Sequence, residues 1–254
     1  VQAAWIQERV APGGGLRSLL PAGFPVYVRV LHPAYGAWSE HQGRVRWAEI
    51  AKRVGVTMHA SIDFDELAAA VSGRAGPVRW AVGEPRVGDL DPEPLAALCD
   101  VLARHTATPE ACWFGVWDGH GWLHPAGVLV AVFTGTDDLD SDGTEDPPME
   151  QIDPVMGLTW DEPSPAMPLF ELPSREHRLL SGPLDAALDM GSIVNGVFFP
   201  HSPSLIWPDD HAWCVATDVD LRSTYIAAAP ALADDLLSDG RLEAWPAQPD
   251  DPLS

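Results

Sequence analysis

Ala212-Trp213-Cys214-Val215-Ala216-Thr217-Asp218-Val219-Asp220-Leu221 is the stretch on which the fold turns. Trp213, Val215, Thr217, Val219 and Leu221 share one face of a two-residue repeat, and Cys214, Ala216, Asp218 and Asp220 share the other. That period is a β-strand's, and the carboxylates set part of the second face toward water or a site. Upstream, Cys112-Trp113-Phe114-Gly115-Val116-Trp117 is apolar on both alternating faces, which suits an internal strand. Asp118-Gly119-His120-Gly121 then supplies residues that accept a tight turn, so Val128 to Phe133 reads as the returning arm of a long hairpin. Phe24, Val26, Val28 and Val30 alternate as another strand, and His177 to Leu180 and Leu242 to Trp245 read as two more.

Helical periods lie between these strands. Trp47, Ile50, Ala51 and Val54 fall at i, i+3, i+4 and i+7, which leaves Arg44, Arg46, Lys52 and Arg53 for a solvated face. Phe64, Leu67, Ala68 and Val71 repeat the pattern. Asp91 before Pro92 reads as an N-cap with proline at N1, opening a helix striped by Leu95, Leu98, Cys99 and Leu102. Pro183 to Met190 reads as a short helix. Pro230 opens a helix carrying Leu232, Leu236 and Leu237, with a glycine stop near Gly240. The expected fold is therefore α+β: a mainly antiparallel sheet, helices packed on it, and a long acidic, proline-rich surface loop. One domain over residues 1–254 is preferred; the alternative is two lobes, 1–133 and 171–254, joined by segment 134–170.

That segment is where the charge concentrates. The chain has 254 residues and a formal charge of −22, yet residues 1–104 carry 11 basic and 11 acidic side chains, and residues 105–254 carry 4 and 26. No Lys or Arg occurs between Arg104 and Arg175. Prolines 147, 148, 154, 163, 165 and 168 punctuate the same stretch, so regular structure is expected to be sparse there. Such a field repels phosphate backbones and selects cations or a basic protein as partner, which excludes nucleic acid held by charge. No run approaches the roughly 18 to 20 apolar residues of a membrane helix. Three separated cysteines, with no secretory signal at the start, lead to an expectation of reduced thiols in a cytoplasmic protein.

Among motifs, Asp138-Leu139-Asp140-Ser141-Asp142-Gly143 places Asp138, Asp140 and Asp142 at alternate positions before a glycine, as Ca²⁺ loops do. Its twelfth position is Met149, not Glu, and Pro147-Pro148 obstructs an exiting helix, so an EF-hand is excluded and a different Ca²⁺ loop is the reading left. No other cofactor is expected. Nucleotide fingerprints, a Gly-x-Ser-x-Gly elbow and His-Glu-x-x-His are absent. The richest constellation runs from His201 to Cys214 and holds Trp207, Asp209, Asp210, His211 and Trp213; with Asp218 and Asp220 it is the expected ligand- or partner-facing surface. The competing structural use of the same residues is tryptophans as core and Asp209 or Asp210 capping a turn.

Several segments carry a family likeness: Leu31-His32-Pro33-Ala34, Val45-Arg46-Trp47-Ala48-Glu49, Leu180-Ser181-Gly182-Pro183-Leu184, and Ser202 to Asp210 continuing through Ala212 to Asp220. Together they resemble an uncharacterised group of actinobacterial proteins. The resemblance implies a shared fold and a shared surface around Trp207 to Trp213, with no activity attached. The expectation is a non-catalytic binding or interaction protein, tryptophan-rich and acidic, that meets a basic partner. The alternative is an enzyme or small-molecule binder working through segment 201–220, and a third reading is the Ca²⁺ loop at 138–150.

Overall fold

Alternation seats strand β1 (Val26–Leu31), whose Val28 and Val30 enter one apolar layer while Tyr27 enters the layer on the opposite side. The computed structural model describes residues 2–38, 41–72, 82–120, 123, 152–155, 167–194 and 197–253. In it β1 lies inside an eight-stranded sheet of order β14 (Ala244–Ala247), β1, β13 (Ser223–Ala228), β12 (Cys214–Ala216), β11 (Leu205–Pro208), β5 (Cys112–Trp117), β8 (Arg175–Gly182), β7 (Leu169–Leu172). Every neighbouring pair is antiparallel. The fold is α+β, and β5, apolar on both faces, is internal between β11 and β8. Strands from both sides of segment 134–170 alternate in this one sheet.

Both faces of the sheet are covered. Helices α4 (Pro92–Ala103) and α5 (Pro230–Ser238), with a 3₁₀ turn at Leu184–Asp189, bring Leu98, Leu102, Leu232 and Leu236 onto Phe114, Ile206, Trp213 and Val215. On the other face the N-terminal α1 (Ala4–Gln7) and the turn after it lay Ile6, Leu16 and Leu20 against Leu205, Trp207, Cys214, Ala216 and Tyr225. The second face of β12 is therefore buried as far as Ala216, and beyond it Asp218 is half-buried and Asp220 exposed. The strand ends at Ala216, shorter than its alternation suggests, because the chain turns with Leu221 N–H donating to Asp218 O at 3.0 Å.

A smaller layer flanks this body. β2 (Ala34–Trp38) pairs with β3 (His41–Val45) and β4 (Val82–Gly83), and α2 (Trp47–Val54) and α3 (Phe64–Ser72) pack with them around Trp47, Ile50, Ile62, Phe64 and Leu67. Trp47, Ile50, Ala51 and Val54 are buried, and Arg44, Arg46, Lys52 and Arg53 exposed, as the helical period requires. The first N–H groups of α2 are not capped locally: Glu243 accepts from Trp47 N and Ala48 N, both at 2.7 Å. Burial pushes the Glu243 carboxyl up while those donors oppose the shift.

Two helix ends differ from their sequence signals. Asp91 stands at the N-cap of α4 with Pro92 at N1, but its side chain makes no cap bond because Tyr35 and Arg44 claim it. α5 stops at Ser238 with Asp239 extended, so the helix ends without a left-handed glycine. A second departure lies within segment 134–170: Ile152–Val155 forms β6, which pairs with β9 (Gly191–Val194), itself paired with β10 (Val197–Pro200). The returning arm expected at 128–133 and the Asp138, Asp140 and Asp142 loop lie outside the described residues.

Gly88 locks the segment before α4 onto the β12–β13 turn. Its φ is +75°, its N–H donates to Leu221 O at 2.8 Å, and a Cβ there would stand 2.6 Å from Val219 Cα. Gly88→Ala is expected to cost about 1–3 kcal/mol, since backbone, not a yielding side chain, is in the way. The urea midpoint should fall with an unchanged m-value.

Candidate functional site

Of twelve buried polar or charged residues among those described, ten gather at one end of the large sheet: His32, Asp89, Asp91, His177, Ser192, Ser202, Ser204, Thr217, Ser223 and Thr224. Here β1, β12 and β5 end and β13, β11 and β8 begin. Buried polar atoms cost free energy unless paired, so a concentration of them marks a site or a tightly specified brace.

The pairing is extensive. His32 Nδ1–H donates to Arg86 O at 2.7 Å, which leaves Nε2 to accept from Thr224 Oγ1 at 3.0 Å; Thr217 Oγ1 stands 2.8 Å from Thr224 Oγ1. Burial pushes His32 down to about 4, so this ring is neutral at pH 7. His120 and His177 are also pushed down to about 4 by burial. His177 stacks on Phe170 with centroids 5.3 Å apart, and His120 meets the edge of Trp117 at 5.3 Å.

Around Asp89 three segments converge. Its Oδ2 accepts from His201 Nδ1 at 2.9 Å and from Arg86 Nη2 at 2.7 Å, while Oδ1 accepts from Ser202 N at 2.8 Å. On the far edge of the imidazole, His201 Nε2 lies 3.3 Å from Ser192 Oγ. Asp91 accepts from Tyr35 Oη at 2.7 and 2.8 Å; burial first, then this bond to a carboxylate, push the phenol up to about 12.

Beside this buried cluster opens a groove of about 550 Å³ between Trp117 and the β7–β8 edge. Arg175 lies across it. Its guanidinium is 5.1 Å from the Trp117 ring, donates to Asp218 at 3.0 and 3.1 Å, and also pairs with Asp220. Glu171 and Glu176 are exposed on the rim and directly opposite in the β7–β8 register, and neither forms an ion pair with a described residue. Asp118 completes the rim and is held by Arg178.

The residues expected to form one surface are divided by β11 and β12. His201, Asp218 and Asp220 lie at the polar end, whereas Asp209, Asp210 and His211 lie at the opposite end. Trp207 and Trp213 are fully buried on opposite faces of the sheet. Asp209 accepts from Trp113 Nε1 at 3.1 Å. Asp210 caps a turn, accepting from Ala107 N at 2.7 Å, Thr106 Oγ1 at 2.9 Å and Ala212 N at 3.1 Å. Burial opposes its ionisation, but those donors win and hold its carboxyl below the usual range. His211, at φ 56°, stacks on Trp5 at 4.2 Å.

Asp89, Ser192, Arg175 and His177 belong to the polar end without having stood out in sequence. Asp89 lies 112 residues from His201 and Arg175 lies 43 from Asp218, while Ser192 and His177 sit in strands with no motif around them, so the sequence does not show them as one cluster. Among the described residues no three His, Cys, Asp or Glu side chains gather as metal ligands. The three thiols are free and buried, and burial pushes Cys99 and Cys112 up to about 12, which makes them poor nucleophiles.

Fold and site together define an α+β protein with a hydrogen-bonded polar cluster at one sheet end and an acidic groove next to it. No family model, curated protein or solved structure matches the chain. Among the described residues no helix is long and apolar enough to cross a membrane.

Proposed function

We propose that this is a binding protein whose partner is basic, and that it receives a cationic side chain in the groove at the polar end of the sheet. The observation that carries this reading is the Glu171–Glu176 pair. Like charges directly opposite across an antiparallel ladder destabilise it, and these two stand exposed at the rim of an open groove. A cation seated between them relieves that repulsion. Arg175 models the chemistry internally, a guanidinium over an indole with carboxylates on its donors. The excess of 26 acidic over 4 basic side chains in residues 105–254 would steer such a partner from a distance.

Pull-down from a native lysate at low and high salt, with wild type and the Glu171→Gln/Glu176→Gln double variant, tests it. The expected result is a partner released by salt and lost with the double variant. A capture that survives both changes, or no salt-sensitive capture, would overturn the reading. An Asp234→Asn/Asp235→Asn variant on α5 lowers the charge equally away from the groove, and should keep the partner.

A further inference from the structure

Ser192, His201 and Asp89 form a hydrogen-bonded series that the binding reading does not use. We infer that Ser192 is an activated nucleophile for acyl transfer, with His201 as its general base and Asp89 as the positioning carboxylate. The geometry that supports this is ordered in the sense the chemistry needs. Asp89 Oδ2 faces Nδ1 at 2.9 Å, which puts the imidazole proton on Nδ1 and the lone pair of Nε2 toward Ser192 Oγ at 3.3 Å. Asp89 is itself fixed by Arg86 Nη2 and Ser202 N, so the carboxylate cannot turn away from the ring.

The three groups come from three segments: Asp89 precedes α4, Ser192 is on β9 and His201 follows β10. His201 N–H donates to Met190 O at 2.9 Å, tying base to nucleophile through backbone as well. Ser192 is 4 % exposed and the His201 side chain 20 %, a shielded setting in which the imidazole competes little with bulk water. Opposite Ser192 on β10 stands Phe199, and the ring of Phe198 lies close over Gly191; both phenylalanines and Val197 are largely exposed. Phe199 and Val197 alternate onto the same face as the hydroxyl, with Phe198 on the other, and this apolar pair selects a neutral acyl donor with an apolar acyl chain.

For an ester of that kind the Ser192 Oγ–C bond forms as His201 Nε2 takes the hydroxyl proton. The bond from the carbonyl carbon to the alcohol oxygen then breaks, and Nε2 returns the proton to the leaving alcohol. Water, deprotonated by the same nitrogen, attacks the acyl-serine; the carboxylic acid leaves and Ser192 regains its proton.

The test uses a small probe, diisopropyl fluorophosphate, in which Oγ–P forms, P–F breaks and fluoride leaves. The full-length protein, Ser192→Ala and His201→Gln are labelled side by side, with near-UV circular dichroism to confirm that each is folded. The expected result is one adduct per chain on the Ser192 peptide, absent from Ser192→Ala and formed about 100-fold more slowly in His201→Gln. Hydrolysis of p-nitrophenyl butyrate should fall in the same order. No adduct on wild type, an adduct on another residue, or an equal rate in folded His201→Gln would overturn the inference and leave the series as a brace. None of these results bears on the salt-sensitive capture, which depends on Glu171 and Glu176.

Discussion

Acidification from pH 7 to pH 4 is expected to unfold this protein. His32, His120 and His177 are each pushed from 6.5 down to about 4 by burial, so the folded state refuses protons that the unfolded chain accepts. Stability from each is complete above pH 6.5 and is lost as the pH falls toward 4. At pH 5 the loss is about 2 kcal/mol apiece, about 6 kcal/mol together, against a total of about 5–15 kcal/mol for a typical domain.

The surrounding charges do not cancel this effect. Asp89 and Asp91 near His32, Asp89 near His120, and Asp218 near His177 favour protonation, while Arg86, Arg175 and neighbouring imidazoles oppose it; desolvation exceeds them all. Relief of the −22 charge as acid is added works the other way, but that repulsion is spread over exposed side chains and weakens in salt. Far-UV circular dichroism against pH at moderate ionic strength should therefore show a cooperative loss between pH 6.5 and 4. His177→Gln removes one of the three groups and should move the midpoint lower. A midpoint below pH 4, or one that does not move in the variant, would contradict it.

What the sequence disclosed follows from the range of the forces involved. Periodicity is local, so it places β1, β5, β12, α2 and α4 and gives the fold class. Burial on both faces of Cys112 to Trp117 is a composition signal, and it correctly puts β5 inside the sheet. Strand ends and helix caps depend on distant partners: Glu243 caps α2 from 196 residues away, and Tyr35 removes Asp91 from its capping role. The site fails for the same reason. Proximity in sequence joined His201 to His211, but β11 lies between them and carries them to opposite ends. Asp89, 112 residues from His201, is its actual partner.

Trp213→Ala should be among the most damaging single changes in the chain, and it separates core use of the tryptophans from ligand use. Trp213 is fully buried between the sheet and α4, and its Nε1 donates to Leu102 O at 3.2 Å, one of the last carbonyls of that helix. Truncation removes an indole's burial, about 3–5 kcal/mol, and one of the two hydrogen bonds on the Leu102 carbonyl, which keeps the His105 N–H at 3.0 Å. Trp213→Phe keeps most of the packing and loses the bond, so its cost should be smaller but distinct. Trp207 supplies the control: it is equally buried on the other face, and its Nε1 finds no acceptor among the described residues. Trp207→Phe should therefore cost less than Trp213→Phe, because no hydrogen bond is given up. Urea denaturation of the three variants reads this order directly. Equal costs for the two phenylalanine variants, or a Trp213→Ala loss within about 1 kcal/mol of wild type, would show that this indole does not hold α4 to the sheet.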